Sequence, residues 1–236
     1  MHLEPFELFG LQHLLTLSIA ALVIFTTCFY FRNKKNDTKY TAGIAIAVLL
    51  VVQVIIGMLN TFSFDHNWQE VFPLHMCDLS ALAIAYYLWK REKVFFNCAF
   101  FWGIGGATMA LLTPDVDFAY PNAVFFPFFY IHSLILLGVF FSVIALKQRP
   151  YLNDVHKVIG ISLVLMIFIY LANFLLGDGA NFWYLNDKPD NATIMNLFPD
   201  PPYHILVTIP VAIAVSYTHL RAHETRHDLV CRLLLE

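Results

Sequence analysis

Residues 11–31 read LQHLLTLSIAALVIFTTCFYF, an apolar run with no Asp, Glu, Lys or Arg. As a helix it rises about 32 Å at 1.5 Å per residue, enough to cross a hydrocarbon core of about 30 Å. Six further stretches follow the same pattern: Gly43–Phe62, Pro73–Trp89, Val94–Leu112, Ala123–Leu146, Lys157–Leu176 and Tyr203–Val215. The third is short and the last stops early. No stretch alternates apolar with polar residues, which argues against a β-barrel. The pattern predicts an all-α, polytopic membrane bundle of seven transmembrane helices, the seventh truncated.

Composition agrees. Of 236 residues, 59% are hydrophobic and 13% charged, with 23 Phe. Soluble domains run about 45–50% apolar and about 25% charged. One aqueous core leaves too much apolar surface over, which excludes a soluble enzyme. A net charge of −3 with no basic patch excludes a nucleic-acid binder.

Loop charge sets the expected direction. Arg32, Lys34, Lys35 and Lys39 fall in one loop, Lys90, Arg91 and Lys93 in the next on that side, and Lys147, Arg149 and Lys157 in the third. The opposite loops hold Lys188 alone, against Asp65, Glu70, Asp115, Asp117, Asp178, Asp187, Asp190 and Asp200. The positive-inside rule then places the N-terminus outside. Met1–Gly10 lacks the basic start of a signal peptide, so the first helix reads as mature structure. Residues 1–215 read as a single transmembrane domain. Loop 177–202, rich in Pro and aromatics, is either a lid over the outer helix ends or a plain long loop.

Residues 216–236 interrupt the last span. His219, His223, His227 and Cys231 recur every four residues, a helical stripe of zinc-ligand types. The segment resembles translated sequencing-adapter read-through, and it enters no site assignment. No metal and no cofactor is expected.

Polar groups inside a bilayer are costly and mark functional candidates. Depth follows from counting up from the cytoplasmic helix ends. Cys77 lies about 18 Å up, His75 and His132 about 21 Å, Gln53 about 15 Å, and Asn60, His13 and Asn173 about 24–27 Å. They gather in the outer half. The densest piece is Pro73-Leu-His-Met-Cys-Asp78, with Pro73 in the first helical turn and Cys77 just beyond it. A thiolate there is favoured by the helix N-terminus and opposed by burial, so it needs a base. His132, in Phe129-Tyr-Ile-His-Ser133, is the candidate by depth. Asp78 is expected to orient His75 or a donor on another helix. Each has a plainer reading: Cys28 and Cys98 as small hydrophobes, Gln53, Asn60 and Asn173 as interhelical hydrogen bonds, His13 as an interfacial residue. Phe125, Phe126 and Tyr184 read as interfacial anchors.

With PLHMCD, His132 fifty-five residues after Cys77, and Asn173, Gly177, Asn181, Tyr184 and Pro201-Pro-Tyr203 following, the chain resembles the YwaF-like family of bacterial integral membrane proteins. A eukaryotic transmembrane cysteine acyltransferase of ether phospholipids is similar, as are the androgen-induced membrane hydrolases, which use Thr in place of Cys. The resemblance covers residues 1–215 and implies a bacterial cytoplasmic membrane as the location. It implies Cys77 as acyl nucleophile and His132 as its catalytic histidine, with membrane lipids as partners and phospholipids as acyl donor and acceptor. The supporting polar cluster is then His75, Asp78, His13, Gln53, Asn60 and Asn173. The alternative is a non-enzymatic membrane binding or transport protein, with the same groups lining a polar pocket open to the outside.

Overall fold

A computed structural model describes residues 4–65, 68–177, 179–189 and 193–218. The stripe His219, His223, His227 and Cys231 lies outside the described residues. Apart from one isolated bridge, Pro5 to Phe118, the described chain is helical. The helices are α1 (Leu11–Arg32), α2 (Asn36–Asn60), α3 (Met76–Lys90), α4 (Lys93–Trp102), α5 (Thr108–Leu112), α6 (Phe125–Ile144), α7 (Leu152–Leu176) and α8 (Ile205–Thr218). A π-helical turn, Gly103–Ala107, joins α4 to α5, and another, Thr61–Asp65, ends α2.

Among the described residues, six segments are long and apolar enough to cross a membrane. They are Leu11–Arg32, Asn36–Ser63, Trp68–Lys90, Lys93–Leu112, Phe125–Ile144 and Leu152–Leu176. The expected seventh span is the shorter apolar helix α8, which runs three residues past Val215. Large apolar side chains point outward along α1 and α7, Leu11 at 75% and Leu175 at 81% exposure. A water-soluble protein would bury such residues; a bilayer solvates them.

Helices α3 and α6 form the centre. α3 packs on α2, α4 and α6, while α1 lies on α6 and α7 on α4. Two glycines set the closeness. A Cβ on Gly138 of α6 would lie 2.8 Å from Ile84 of α3, and one on Gly103 would lie 2.9 Å from Ile135 of α6. Only hydrogen fits at either crossing, the small-residue packing that brings membrane helices together.

Two boundaries differ from the sequence expectation for identifiable reasons. α7 begins at Leu152, not Lys157, because Tyr151 and Asp154 form a reciprocal cap and the Asp154 carboxylate pairs with Lys93 at 2.9 Å. α3 begins at Met76, not Pro73. The backbone before it is taken up in a turn, Leu74 N–H to Phe72 carbonyl at 2.8 Å, and His75 is extended as the N-cap. Pro73 therefore precedes the helix, and Cys77 moves into its first turn.

Candidate active site

The N-terminus of α3 builds one half of the site. The helix's own bonding starts with the Leu79 N–H to the His75 carbonyl at 3.1 Å, which leaves the Met76, Cys77 and Asp78 N–H groups without helical partners. The Asp78 carboxylate accepts from the backbone N–H of His75, so it caps the helix instead of orienting the His75 ring. That ring packs on Phe182, centroids 4.8 Å apart.

The other half comes from mid-α6. His132 Nε2 lies 3.1 Å from Cys77 Sγ, and its Nδ1 lies 2.6 Å from the Phe128 carbonyl oxygen one helical turn earlier. A carbonyl can only accept, so Nδ1 carries the proton of the neutral ring. Nε2 is then a bare acceptor facing the thiol. Thiol, imidazole and backbone carbonyl thus form one hydrogen-bonded chain, in which the carbonyl orients the ring and the ring faces the thiol. His132 is 6% exposed.

Of the other polar candidates, Asn173 and His75 meet a second feature, the folded-back loop after α7. Gly177 ends α7 at φ +82°, a conformation that suits glycine. The chain then returns across the N-terminal end of α3. Asn173, 1% exposed, donates to the Phe182 carbonyl at 3.1 Å and accepts from the Phe182 N–H at 3.0 Å. The Trp183 indole donates to the Leu74 carbonyl at 2.9 Å, and the Tyr184 hydroxyl to Asp115 at 3.2 Å. Phe182 is fully buried. The segment is a cover bound to α3 and α7, with Trp183 and Tyr184 both at positive φ to make the turn.

Tyr184 is accordingly a tie within this cover and not a free interfacial anchor. Burial pushes its phenol above the usual range, Asp115 adds to this, and Cys77 and Glu70 contribute smaller pushes. Of the three expected anchors Phe126 is exposed at 63%, whereas Phe125 is buried.

The remaining candidates sit apart from the pair. His13 is fully buried and satisfied on both ring nitrogens: Nδ1 accepts from the Phe9 N–H at 3.0 Å, so Nε2 donates to the Leu111 carbonyl at 2.8 Å. It joins α1 to α5. Gln53 is buried on α2 and Asn60 is half-buried at its end; no hydrogen bond among the described residues ties either to Cys77 or His132. Cys28 and Cys98 are buried in the packed core, and Cys77 is likewise a free thiol. No group of three metal-ligating side chains occurs among the described residues.

Sequence reasoning missed two participants. His204, fully buried, donates through Nε2 to the Tyr184 carbonyl at 2.7 Å and so ties α8 to the cover. Its place at the start of the last apolar run, just after Pro201-Pro-Tyr203, was the available signal. Trp183 gave none, because indoles at helix ends are ordinary interfacial residues.

The TMEM164 family matches residues 8–219. The chain belongs to the TMEM164 family. It is also similar to an uncharacterized protein of Treponema pallidum (strain Nichols), 27% identical over 192 residues, covering 78% of this chain and 76% of the relative. No solved structure matches. Membership makes the chain a multi-pass membrane protein and fits the relation to the eukaryotic transmembrane acyltransferase; the family that matches does not carry the YwaF-like name.

Proposed function

We propose that this TMEM164-family protein is a cysteine-dependent acyltransferase or hydrolase of membrane lipids. The observation that carries the reading is the 3.1 Å approach of His132 Nε2 to Cys77 Sγ, with the tautomer set by Phe128. In the first half-reaction His132 takes the thiol proton and the thiolate attacks a lipid ester carbonyl. The C–S bond forms, the ester C–O bond breaks, and the departing alkoxide takes the proton back from His132. In the second, the hydroxyl of a lyso-lipid or of water gives its proton to His132 and attacks the thioester. A C–O bond forms, the C–S bond breaks, and the thiolate recovers its proton.

The helical N–H groups of Cys77 and Asp78 are the natural donors to the oxyanion, since they lack helical partners and sit at the positive end of α3. Loop charges support seven crossings with the N-terminus outside a cytoplasmic membrane, which puts the pair in the outer half of the bilayer.

The binding or transport alternative requires the polar groups to line a pocket. Two cavities, of about 640 and 410 Å³, are lined by none of Gln53, Asn60, His75, Asp78 and Asn173. Asn173 is consumed by the cover. Acyl exchange between isotopically distinct phospholipid and lyso-phospholipid in vesicles, read by lipid mass spectrometry, tests the proposal. Cys77→Ala is expected to abolish exchange and His132→Ala to lower it by about 10²–10⁴-fold. Undiminished exchange in Cys77→Ala overturns it.

A further inference from the structure

The smaller cavity, of about 410 Å³, is a groove walled by α4–α5, α7 and α8. Its place and chemistry fit one kind of occupant. Along α7 it runs from Val155 to Met166, about 16 Å of helix. By the loop charges this stretch is the cytoplasmic half of α7, so a chain lying in it extends away from Cys77 through about 15 Å of hydrocarbon, half of a core of about 30 Å. Met76 and Trp183 form part of the wall. Met76 adjoins Cys77 in sequence, and Trp183 belongs to the cover that lies across the outer end of α3.

Polar side chains do occur in the wall, yet none offers a free donor. The Trp102 indole donates to Ser162 at 2.9 Å, and Ser162 in turn to the Val158 carbonyl at 2.8 Å. Thr208 and Ser216 donate to carbonyls one turn back, at 2.9 and 2.8 Å, and the Trp183 indole is held by Leu74. An occupant needs no polar atoms and finds none to bond. Gly105 and Gly106, in the π turn between α4 and α5, also line it, and a Cβ on either would meet nothing within 4 Å. The open space at these two positions belongs to the groove. It is unlike the tight fit at Gly103 and Gly138, where glycine is required by packing.

We propose that the groove between α4–α5, α7 and α8 holds one fatty-acyl chain of a membrane phospholipid, aligned so that its ester reaches Cys77. This rests on the acyl-transfer reading for the ester's fate, while occupancy of the groove stands on its geometry. Because the cover closes the outer end, the chain enters sideways from the bilayer.

The test is photolabelling of the full chain in phosphatidylcholine vesicles carrying a trace of phosphatidylcholine with a mid-chain diazirine. Labels are expected to concentrate on Phe101–Met109 and Ile159–Met166, above the level on the lipid-facing residues of α1. Gly105→Leu, which fills the groove without an initial clash, is expected to lower groove labelling several-fold against the α1 reference; Gly106→Leu serves if the first variant does not fold. Cys77→Ala is expected to keep the labelling, so a failed nucleophile and an empty groove give different results. Labels spread evenly over groove and lipid-facing surfaces, or unchanged in both folded glycine variants, overturn the proposal. Stronger groove labelling by a diazirine free fatty acid than by the phospholipid overturns the choice of phospholipid.

Discussion

Replacing Asn173 with Ala should release the cover over α3. Asn173 makes two hydrogen bonds to the backbone of one residue, 3.1 Å to the Phe182 carbonyl and 3.0 Å from its N–H, and both residues are essentially inaccessible. Alanine leaves a buried donor and a buried acceptor on Phe182 without partners. Each costs about 1–3 kcal/mol, so the cover loses about 2–6 kcal/mol of local stability. At about 1.4 kcal/mol per tenfold, even the lower figure raises the open population about 30-fold. Hydrogen exchange in nanodiscs should report this as a loss of protection at 180–186, with α3 and α6 unaffected. On the acyl-transfer proposal, an opened cover should also raise hydrolysis of the thioester relative to transfer, by admitting water as a competing nucleophile. Unchanged exchange at Phe182 in a folded Asn173→Ala protein would refute the reasoning, since among the described residues no other side chain bonds that backbone group.

Gly138→Ala places a carbon 2.8 Å from Ile84 and should destabilise the bundle by about 1–3 kcal/mol in a thermal or denaturant melt. Gly160→Ala on α7, where an added carbon meets nothing, should be neutral or stabilising by up to about 1 kcal/mol in the same melt. The raised Tyr184 phenol binds its proton more tightly in the folded cover than in an unfolded one. Its contribution to cover stability should therefore be complete below the ordinary phenol value of about 10 and be lost as pH rises through the folded value. Exchange at 182–186 followed from neutral to alkaline pH should show that loss, and Tyr184→Phe should remove it. Breaking the cap and ion pair with Asp154→Ala should fray the first turn of α7 at a cost of about 0.5–2 kcal/mol, seen as faster exchange at 152–156.

The six long spans were legible because a bilayer imposes a simple rule, about 20 apolar residues per crossing, that local sequence must satisfy directly. Helix ends were less so. Nothing in Pro73-Leu-His-Met predicts that Trp183, more than a hundred residues later, bonds the Leu74 carbonyl, yet that contact lies where the helix fails to begin. The depth of Cys77 and His132 could be counted from the charged helix ends, since a helix rises regularly. Their separation of 3.1 Å could not, because it depends on how α6 seats against α3 through Gly138. The tautomer of His132 follows from its own helix, one turn back at Phe128. His13 and Asn173 count to only a turn or two of helix above the pair, but depth fixes one coordinate of three. His13 turns to Leu111 and Asn173 to Phe182.

The central claim is that Cys77 carries the acyl group. Intact-protein mass spectrometry after brief incubation with mixed phospholipids and an acid quench tests it most directly. The expected result is a fatty-acyl increment that hydroxylamine removes, that maps to Cys77, and that is absent from Cys77→Ala. A folded wild-type protein that shows no increment, or one equally acylated after Cys77→Ala, would contradict it.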